Sequence, residues 1–268
     1  VTLTLGARAD WTKVDAVSGD GRVNPRLGVA WTPFPGTVIR ASHGWGFRAP
    51  SVAERFSTAA GGGLITKPNP DLLSERSRSY EFGLRQELPL PAVLDAAVFH
   101  NDYENLVEPV LDPADGKIVF SNITRARIEG FEVGLQAAIA DGLFTVHAGY
   151  TYMYPRDLTA NALMKYRPKH ILSTSGELRI LYGFLAADFR FVGRVEEIDR
   201  ELELIVSDAG RRVAAYVTDI RAGWDFSSMG IPVSVIMLVN NVFQYNYAEI
   251  VGNVAPIRNF TLAADWRL

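Results

Sequence analysis

Residues 131–154, FEVGLQAAIADGLFTVHAGYTYMY, decide the reading of the fold. Phe131, Val133, Leu135, Ala137 and Ile139 alternate with Glu132, Gly134 and Gln136. Beyond Ala140–Gly142, the residues Phe144, Val146, Ala148, Tyr150, Tyr152 and Tyr154 keep the same period of two. That period puts one set of side chains on each face of a strand. Two such segments joined by three turn residues predict an antiparallel hairpin with one apolar and one polar face.

The pattern extends in both directions. About twelve alternating segments are expected, near 3–11, 26–32, 37–45, 77–88, 93–103, 117–139, 143–154, 166–180, 184–194, 212–226, 231–243 and 259–268. In the segment near 93–103, Asp95 marks Leu94, Ala96 and Val98 as the apolar face. Short connections at Pro33–Gly36, Pro89–Pro91, Ala140–Gly142, Leu181–Gly183 and Ser227–Gly230 alternate with long ones near 14–23, 46–76, 104–116, 155–165, 195–211 and 244–256. Alternation alone would also suit a soluble sandwich. Regular short–long succession favours an up-and-down transmembrane barrel with tight periplasmic turns and long external loops. Trp11, Trp31, Trp45, Tyr152, Tyr154, Trp224 and Trp266 near strand ends suit interfacial girdles. The charge-free run from Phe226 to Ala248 is broken by Gly230, Pro232, Asn240 and Asn241, and reads as a turn, a strand and a loop.

Composition limits the function classes. The 268 residues are 48% hydrophobic with a formal charge of −3, which offers no electrostatic case for nucleic acid. There is no cysteine, so no disulfide framework or thiolate metal site is available. His43, His100, His147 and His170 lie on separate segments without a ligand spacing, so no metal site and no cofactor are expected. Gly61–Gly63 is not followed by a phosphate-binding Lys-Ser/Thr, and DPADG at 112–116 reads as a turn. Ser42 and His43, as sequence neighbours on a strand, are expected on opposite faces, so no catalytic residue is assigned.

Six segments in order then carry a resemblance: GFRAPS at 46–51, NPDLLSERSRSYEFGLR at 69–85, VFHNDYENLV at 98–107, SNITRARIEGFEVGL at 121–135, KYRPKHIL at 165–172 and VNNVFQYNY at 239–247. Together they resemble the C-terminal part of the barrel of TonB-dependent outer-membrane receptors, across residues 1–268. The resemblance implies an all-β transmembrane antiparallel barrel. It also implies that about twelve strands here are the C-terminal part of a barrel of roughly twenty-two, with the family's N-terminal plug and its TonB-contacting segment absent. Opening on VTLTLGARADW, the chain reads as beginning in mid-pattern. Leu73 and Ser74 replace the family's common Lys-Pro, and Leu268 replaces its usual terminal Phe, which bears on assembly.

The implied function is energised uptake of a scarce bulky nutrient, such as an iron–siderophore or cobalamin, in the outer membrane of a Gram-negative bacterium. The implied partners are outer-membrane lipid, that ligand, the inner-membrane TonB complex acting through the missing plug, and the barrel assembly machinery. The alternatives are a passive pore and a twelve-stranded phospholipase-like enzyme. Arg48, Glu54, Arg55, Arg76 and Arg78 are the candidate external-loop ligand contacts; Gly44, Gly46 and Pro50 offer a purely loop-shaping reading of the same segment, and Glu75, Arg76 and Arg78 one of mutual pairing at the rim. Arg40, Glu81, Arg85, Glu132, Arg190 and Arg221 are expected to face the lumen, where the plug of a complete receptor sits, in ladders of opposite charge.

Overall fold

The computed structural model describes residues 1–14, 17–61, 64–198, 212–250 and 253–266. Three strands open the chain, β1 (Thr2–Val14), β2 (Val17–Phe34) and β3 (Thr37–Arg48). A connection follows that contains helix α1 (Val52–Phe56) and the short strands β4 (Ala60–Gly61) and β5 (Leu64–Lys67). Next come β6 (Glu75–Glu87), β7 (Ala92–Asp112), β8 (Lys117–Ile139) and β9 (Phe144–Asp157), then the two-residue β10 (Ala162–Leu163). The rest comprises β11 (His170–Ile180), β12 (Gly183–Val192), β13 (Ala215–Asp225), β14 (Val233–Asn240), β15 (Ala248–Ile250), β16 (Asn253–Val254) and β17 (Asn259–Trp266).

One fifteen-stranded sheet carries twelve of these strands in the order β1-β2-β3-β6-β7-β8-β9-β11-β12-β13-β14-β17, with β4, β5 and β10 paired off that path. Every long strand is therefore antiparallel to its neighbour in the chain, the meander of an up-and-down barrel. Among the described residues β1 and β17 do not pair with each other, so these twelve strands leave two open edges rather than a closed pore.

The register explains which face is which. Ile39, Leu84, Ala96, Val133, Tyr150, Leu172, Phe191 and Tyr216 stand side by side across eight strands. One position along each strand, Arg85, Asp95, Gly134, Gly149, Ser173 and Arg190 form the matching row on the other face. The apolar face is left uncovered, with Phe82 at 55% and Val98 at 56% exposure. The buried cluster among the described residues is only Leu111 with Ile198. Among the described residues no second large sheet packs on the apolar face; that face suits hydrocarbon in place of a core, with the ladders satisfying the backbone there.

The short ends match expectation. Gly142 and Gly230 have φ of 85° and 79°, a region where a Cβ is penalised, and so close the β8–β9 and β13–β14 turns tightly. The other end differs in detail. The connections expected at 14–23 and 104–116 are mostly strand: β1 and β2 pair up to Val14 and Val17, and β7 and β8 pair up to Asp112 and Lys117. Polar sequence beyond the apolar band still completes its ladder with the adjacent chain, so it reads as loop but forms hairpin. The connection at 195–211 lies largely outside the described residues, as do Gly62, Gly63, Arg267 and Leu268. Gly44 and Gly46 make no turn; both lie within β3, where Gly46 leaves room for the Ser77 hydroxyl, 2.4 Å from where a Cβ would stand.

Candidate functional site

The external connection between β3 and β6 is a built wall. Ser51 accepts from the Glu54 amide at 3.2 Å, and the Glu54 carboxylate accepts from the Ser51 amide at 2.6 Å. This reciprocal cap starts α1. From the end of β3, Arg48 donates to Glu75 at 2.7 and 2.5 Å and to Glu54 at 3.1 Å. Glu75 also accepts from the Val107 amide at 2.8 Å, so one charge cluster joins β3, α1, β6 and β7. Burial pushes the Glu54 carboxyl up, but the hydrogen bonds from Ser51 and Arg48 outweigh it and hold the group below its ordinary value. The Arg48 guanidinium is held above its ordinary value, chiefly by Glu75.

The remainder of this connection lies against β8. Asn69 donates to the Phe120 carbonyl at 2.8 Å, and the Leu73 amide donates to Asn122 at 2.8 Å. Thr66 and Lys67 of β5 pair in parallel with Ile118 and Val119. Lys67 is clamped by Asp112 and Asp115 at the tip of the β7–β8 hairpin. Asp112 is held below the usual carboxylate range, first by its bond to Lys67 and then by the Ala114 amide. A lowered folded-state value means the clamp is complete above the unfolded aspartate value of about 3.9 and is lost as pH falls through the lower folded value. Pepsin nicking of residues 57–61 relative to a Lys67→Met variant should therefore stay low at pH 5. The two should converge as pH falls through the lowered folded-state value; equal nicking at pH 5 would show that the clamp does not hold the loop.

The structure separates the five loop candidates. Arg48 and Glu54 stand together. Arg55 is 9% exposed and donates to the carbonyl of Leu72, itself 2% exposed, at 2.5 Å, so it holds the loop together rather than meeting solvent. Arg76 and Arg78 lie on β6, not in the loop, with the parity of Tyr80, Phe82 and Leu84. They therefore leave the sheet on the outward face, opposite to Arg48. The mutual pairing of Glu75, Arg76 and Arg78 at the rim is not found: Glu75 takes Arg48, and Arg78 approaches Glu104 at 3.7 Å.

On the inward face two cavities open. The upper, about 510 Å³, is lined by Arg8, Asn24, Arg26, Arg48, Glu75 and Tyr103. The exposed Arg26 has no ion pair among the described residues. The lower, about 500 Å³, draws its lining from seven strands, including Arg85, Asp95, His147, Asp188, Arg190 and Asp219, which makes this face concave. Arg40 reaches across β6 to a two-pronged bond with Asp95 at 2.7 and 3.0 Å, and touches Glu81 at 3.2 Å. Gly83 permits the reach, since a Cβ there would stand 2.6 Å from the Arg40 guanidinium carbon. Arg221 pairs with Asp188 at 2.9 Å, while Arg190 donates to the Tyr247 hydroxyl at 3.1 Å. Arg85 and Glu132 share the inward parity, and among the described residues neither adds an ion pair to the ladder. Ser42 and His43 do point to opposite faces. His43 stacks on Tyr80 at 4.4 Å and accepts from the Trp45 indole at 3.0 Å, far from any hydrolytic arrangement.

A family model described as TonB dependent receptor-like, beta-barrel, matches residues 1–242. The chain belongs to the TonB-dependent receptor family. A vitamin B12 transporter of Vibrio vulnificus is 28% identical over 147 residues, 55% of this chain and 22% of that protein. An iron-regulated outer membrane virulence protein of Vibrio cholerae is 26% identical over 190 residues, 65% of this chain and 28% of that protein. The chain thus spans about a quarter of the length of these curated relatives. Among solved structures, the ferripyoverdine receptor of Pseudomonas aeruginosa superposes with a TM-score of 0.72 at 20% identity, covering 98% of this chain and 36% of that one. A ferric enterobactin receptor mutant from the same organism gives 0.71 at 17%, covering 98% and 42%. These likenesses establish the fold, and with the family they make the chain part of an integral outer-membrane barrel. The Vibrio vulnificus protein is a transporter and the two solved structures are receptors.

Proposed function

We propose that residues 1–268 form the C-terminal part of the barrel of a receptor that imports a scarce, bulky nutrient, an iron–siderophore or cobalamin-like compound. The family match over residues 1–242 carries this reading. The rigid external wall and the cationic upper cavity support it. Arg8, Arg26 and Arg48 line that cavity against the single carboxylate of Glu75. Arg48 is already committed to Glu54 and Glu75, which leaves Arg26 as the free fork for an anionic group of the ligand. The lower face would carry the plug, its charges set against the Arg40–Asp95 and Arg221–Asp188 pairs. An inner-membrane TonB complex would pull on that plug to open the path. Lipid would cover the apolar face, and the barrel assembly machinery would insert the strands.

The test uses the full-length protein in detergent with a panel of ferric siderophores and cobalamin. Loss of one charge-assisted hydrogen bond costs about 1.5–3 kcal/mol, so Arg26→Ala should weaken binding of the cognate compound by roughly ten- to hundredfold. Binding at wild-type strength in that variant would remove the upper cavity from the ligand path.

A further inference from the structure

Between β10 and β11, residues 164–169 form a strap that ties two external connections together. On one side the Tyr166 amide donates to the Glu197 carbonyl at 2.9 Å, Pro168 bridges to Val195, and Lys169 pairs with Glu196 at 2.8 Å. On the other side Arg167 donates to Glu108 of β7 at 2.5 Å. Tyr166 packs on the cluster of Leu111, from the β7–β8 hairpin, and Ile198. Its φ of 60° lies in the left-handed region, where a bulky residue is strained, so the strap keeps this shape only while its contacts hold it. Pro168 restricts the backbone of Arg167 to extended conformations, so the guanidinium is presented from a stiff segment.

Of these ties, the pair of Glu108 with Arg167 holds the more buried carboxylate. The Glu108 side chain is 10% exposed, against 39% for Glu196. Glu108 stands sixteen residues from Ala92 at the short-turn end of β7. At a rise of about 3.3 Å per residue and a tilt of about 40° that is roughly 40 Å, well beyond a hydrocarbon band of about 25 Å, so the pair lies outside the membrane. Three charged groups from other elements face it: Arg167 of the strap, Glu75 of β6 and Arg48 of β3. The residue opposite on β8 is the uncharged Ser121. Burial pushes the Glu108 carboxyl above its ordinary value; Arg167 and Arg48 oppose that push, and Glu75 adds to it. A raised carboxyl contributes stability that is complete below the ordinary glutamate value of about 4.3 and is lost as pH rises through the folded value. Acid therefore neutralises Glu108 in place, and Arg167 is the group that loses its partner. The Lys67 clamp behaves in the opposite way, because Asp112 is held below the usual range and keeps its charge to lower pH.

We propose that Glu108 and Arg167 form a proton-operated latch on the external face: proton uptake by Glu108 frees Arg167 and loosens residues 164–169 from the β7–β8 hairpin. A neutral carboxyl still accepts a hydrogen bond, but it no longer supplies the charge-assisted pairing that holds a guanidinium in a partly buried place. Relaxation of the left-handed Tyr166 then favours the open strap. Both hairpin contacts of the strap, Tyr166 with Leu111 and Arg167 with Glu108, come from adjacent residues, so they loosen together. The latch concerns the external connections and does not depend on which nutrient passes through the barrel.

The test is hydroxyl-radical footprinting of the full-length protein in detergent, read by mass spectrometry at Met164 and Tyr166. Met164 is 3% exposed and is shielded while the strap is closed. Oxidation of both residues in the wild type should rise as pH falls from about 7.5 to about 4.5, with a midpoint above the ordinary glutamate value. Loss of a charge-assisted hydrogen bond raises the open fraction about tenfold or more, so Glu108→Gln should reach the acid level of oxidation already at neutral pH and give a flat profile. Should that protein fail to assemble, Arg167→Gln is read the same way. A wild type whose oxidation is unchanged over this range would overturn the proposal. So would a Glu108→Gln protein that keeps the wild-type rise, since the proton would then act elsewhere. The mobility of the folded form on gels is followed at each pH: a rise that coincides with loss of the folded band is unfolding and would overturn the latch, whereas a rise with the band intact supports it.

Discussion

Arginine at position 133 is expected to cost about 2–4 kcal/mol of folding free energy in a bilayer, whereas arginine at position 132 is expected to cost less than about 1 kcal/mol. The two residues are neighbours on β8, and the contrast comes entirely from the face each occupies. Val133 stands in the unbroken apolar row between Ala96 and Tyr150, is 37% exposed, and has no protein layer in front of it. It lies six residues from Ile139 at the short-turn end, near the middle of the hydrocarbon band. A guanidinium there must be desolvated or drag water and headgroups inward. Glu132 points into the aqueous concavity, where a change of charge alters only screened interactions. Urea titration of the full-length protein in lipid vesicles, followed by the mobility difference between folded and unfolded forms on gels, would measure both. Equal destabilisation by the two substitutions would contradict the assignment of faces.

Gly130→Ala is expected to destabilise by about 3 kcal/mol, the upper part of the usual overpacking range. A Cβ at Gly130 would stand 2.0 Å from the Tyr152 carbonyl oxygen and 2.9 Å from both the Met153 Cα and the Phe99 ring. The first two are backbone in a paired ladder, so relief requires β8 and β9 to move apart. Gly134→Ala is the internal control. It lies on the same strand and the same face, but its nearest neighbours are carbonyl oxygens at 3.9 Å. That substitution should be neutral within about 0.5 kcal/mol or slightly stabilising, because alanine restricts the unfolded chain more than glycine does. The same urea titration separates them, and a tolerated Gly130→Ala would mean that the β8–β9 approach is looser than described.

Most of the sheet was readable from alternation, because a strand with one face in lipid and one in water has to write that contrast into every second residue. The segment from Phe131 to Tyr154 already contained the hairpin, its turn and its two faces. The ligand candidates were less legible. Parity counted from Tyr80 would have placed Arg76 and Arg78 outward, but treating 46–76 as loop removed parity from consideration for Arg48 and Arg76, and Arg78 was grouped with them although it lay in the segment near 77–88. Helix α1 also had a signal in Ser51-x-x-Glu54. The burial of Arg55 had none, since it depends on a carbonyl seventeen residues away at Leu72.

By itself the sequence determined the number of long strands, which residues face lipid, and where the tight turns fall, all of which are set by local periodicity and by residues that tolerate positive φ. Only the tertiary structure decided what the charges do. Arg40 passes Gly83 to reach Asp95, and Arg48 ties α1 to β6. These partners come from different strands, and the stagger between strands, which brings one side chain within reach of another, is a property of the assembled sheet rather than of any one segment.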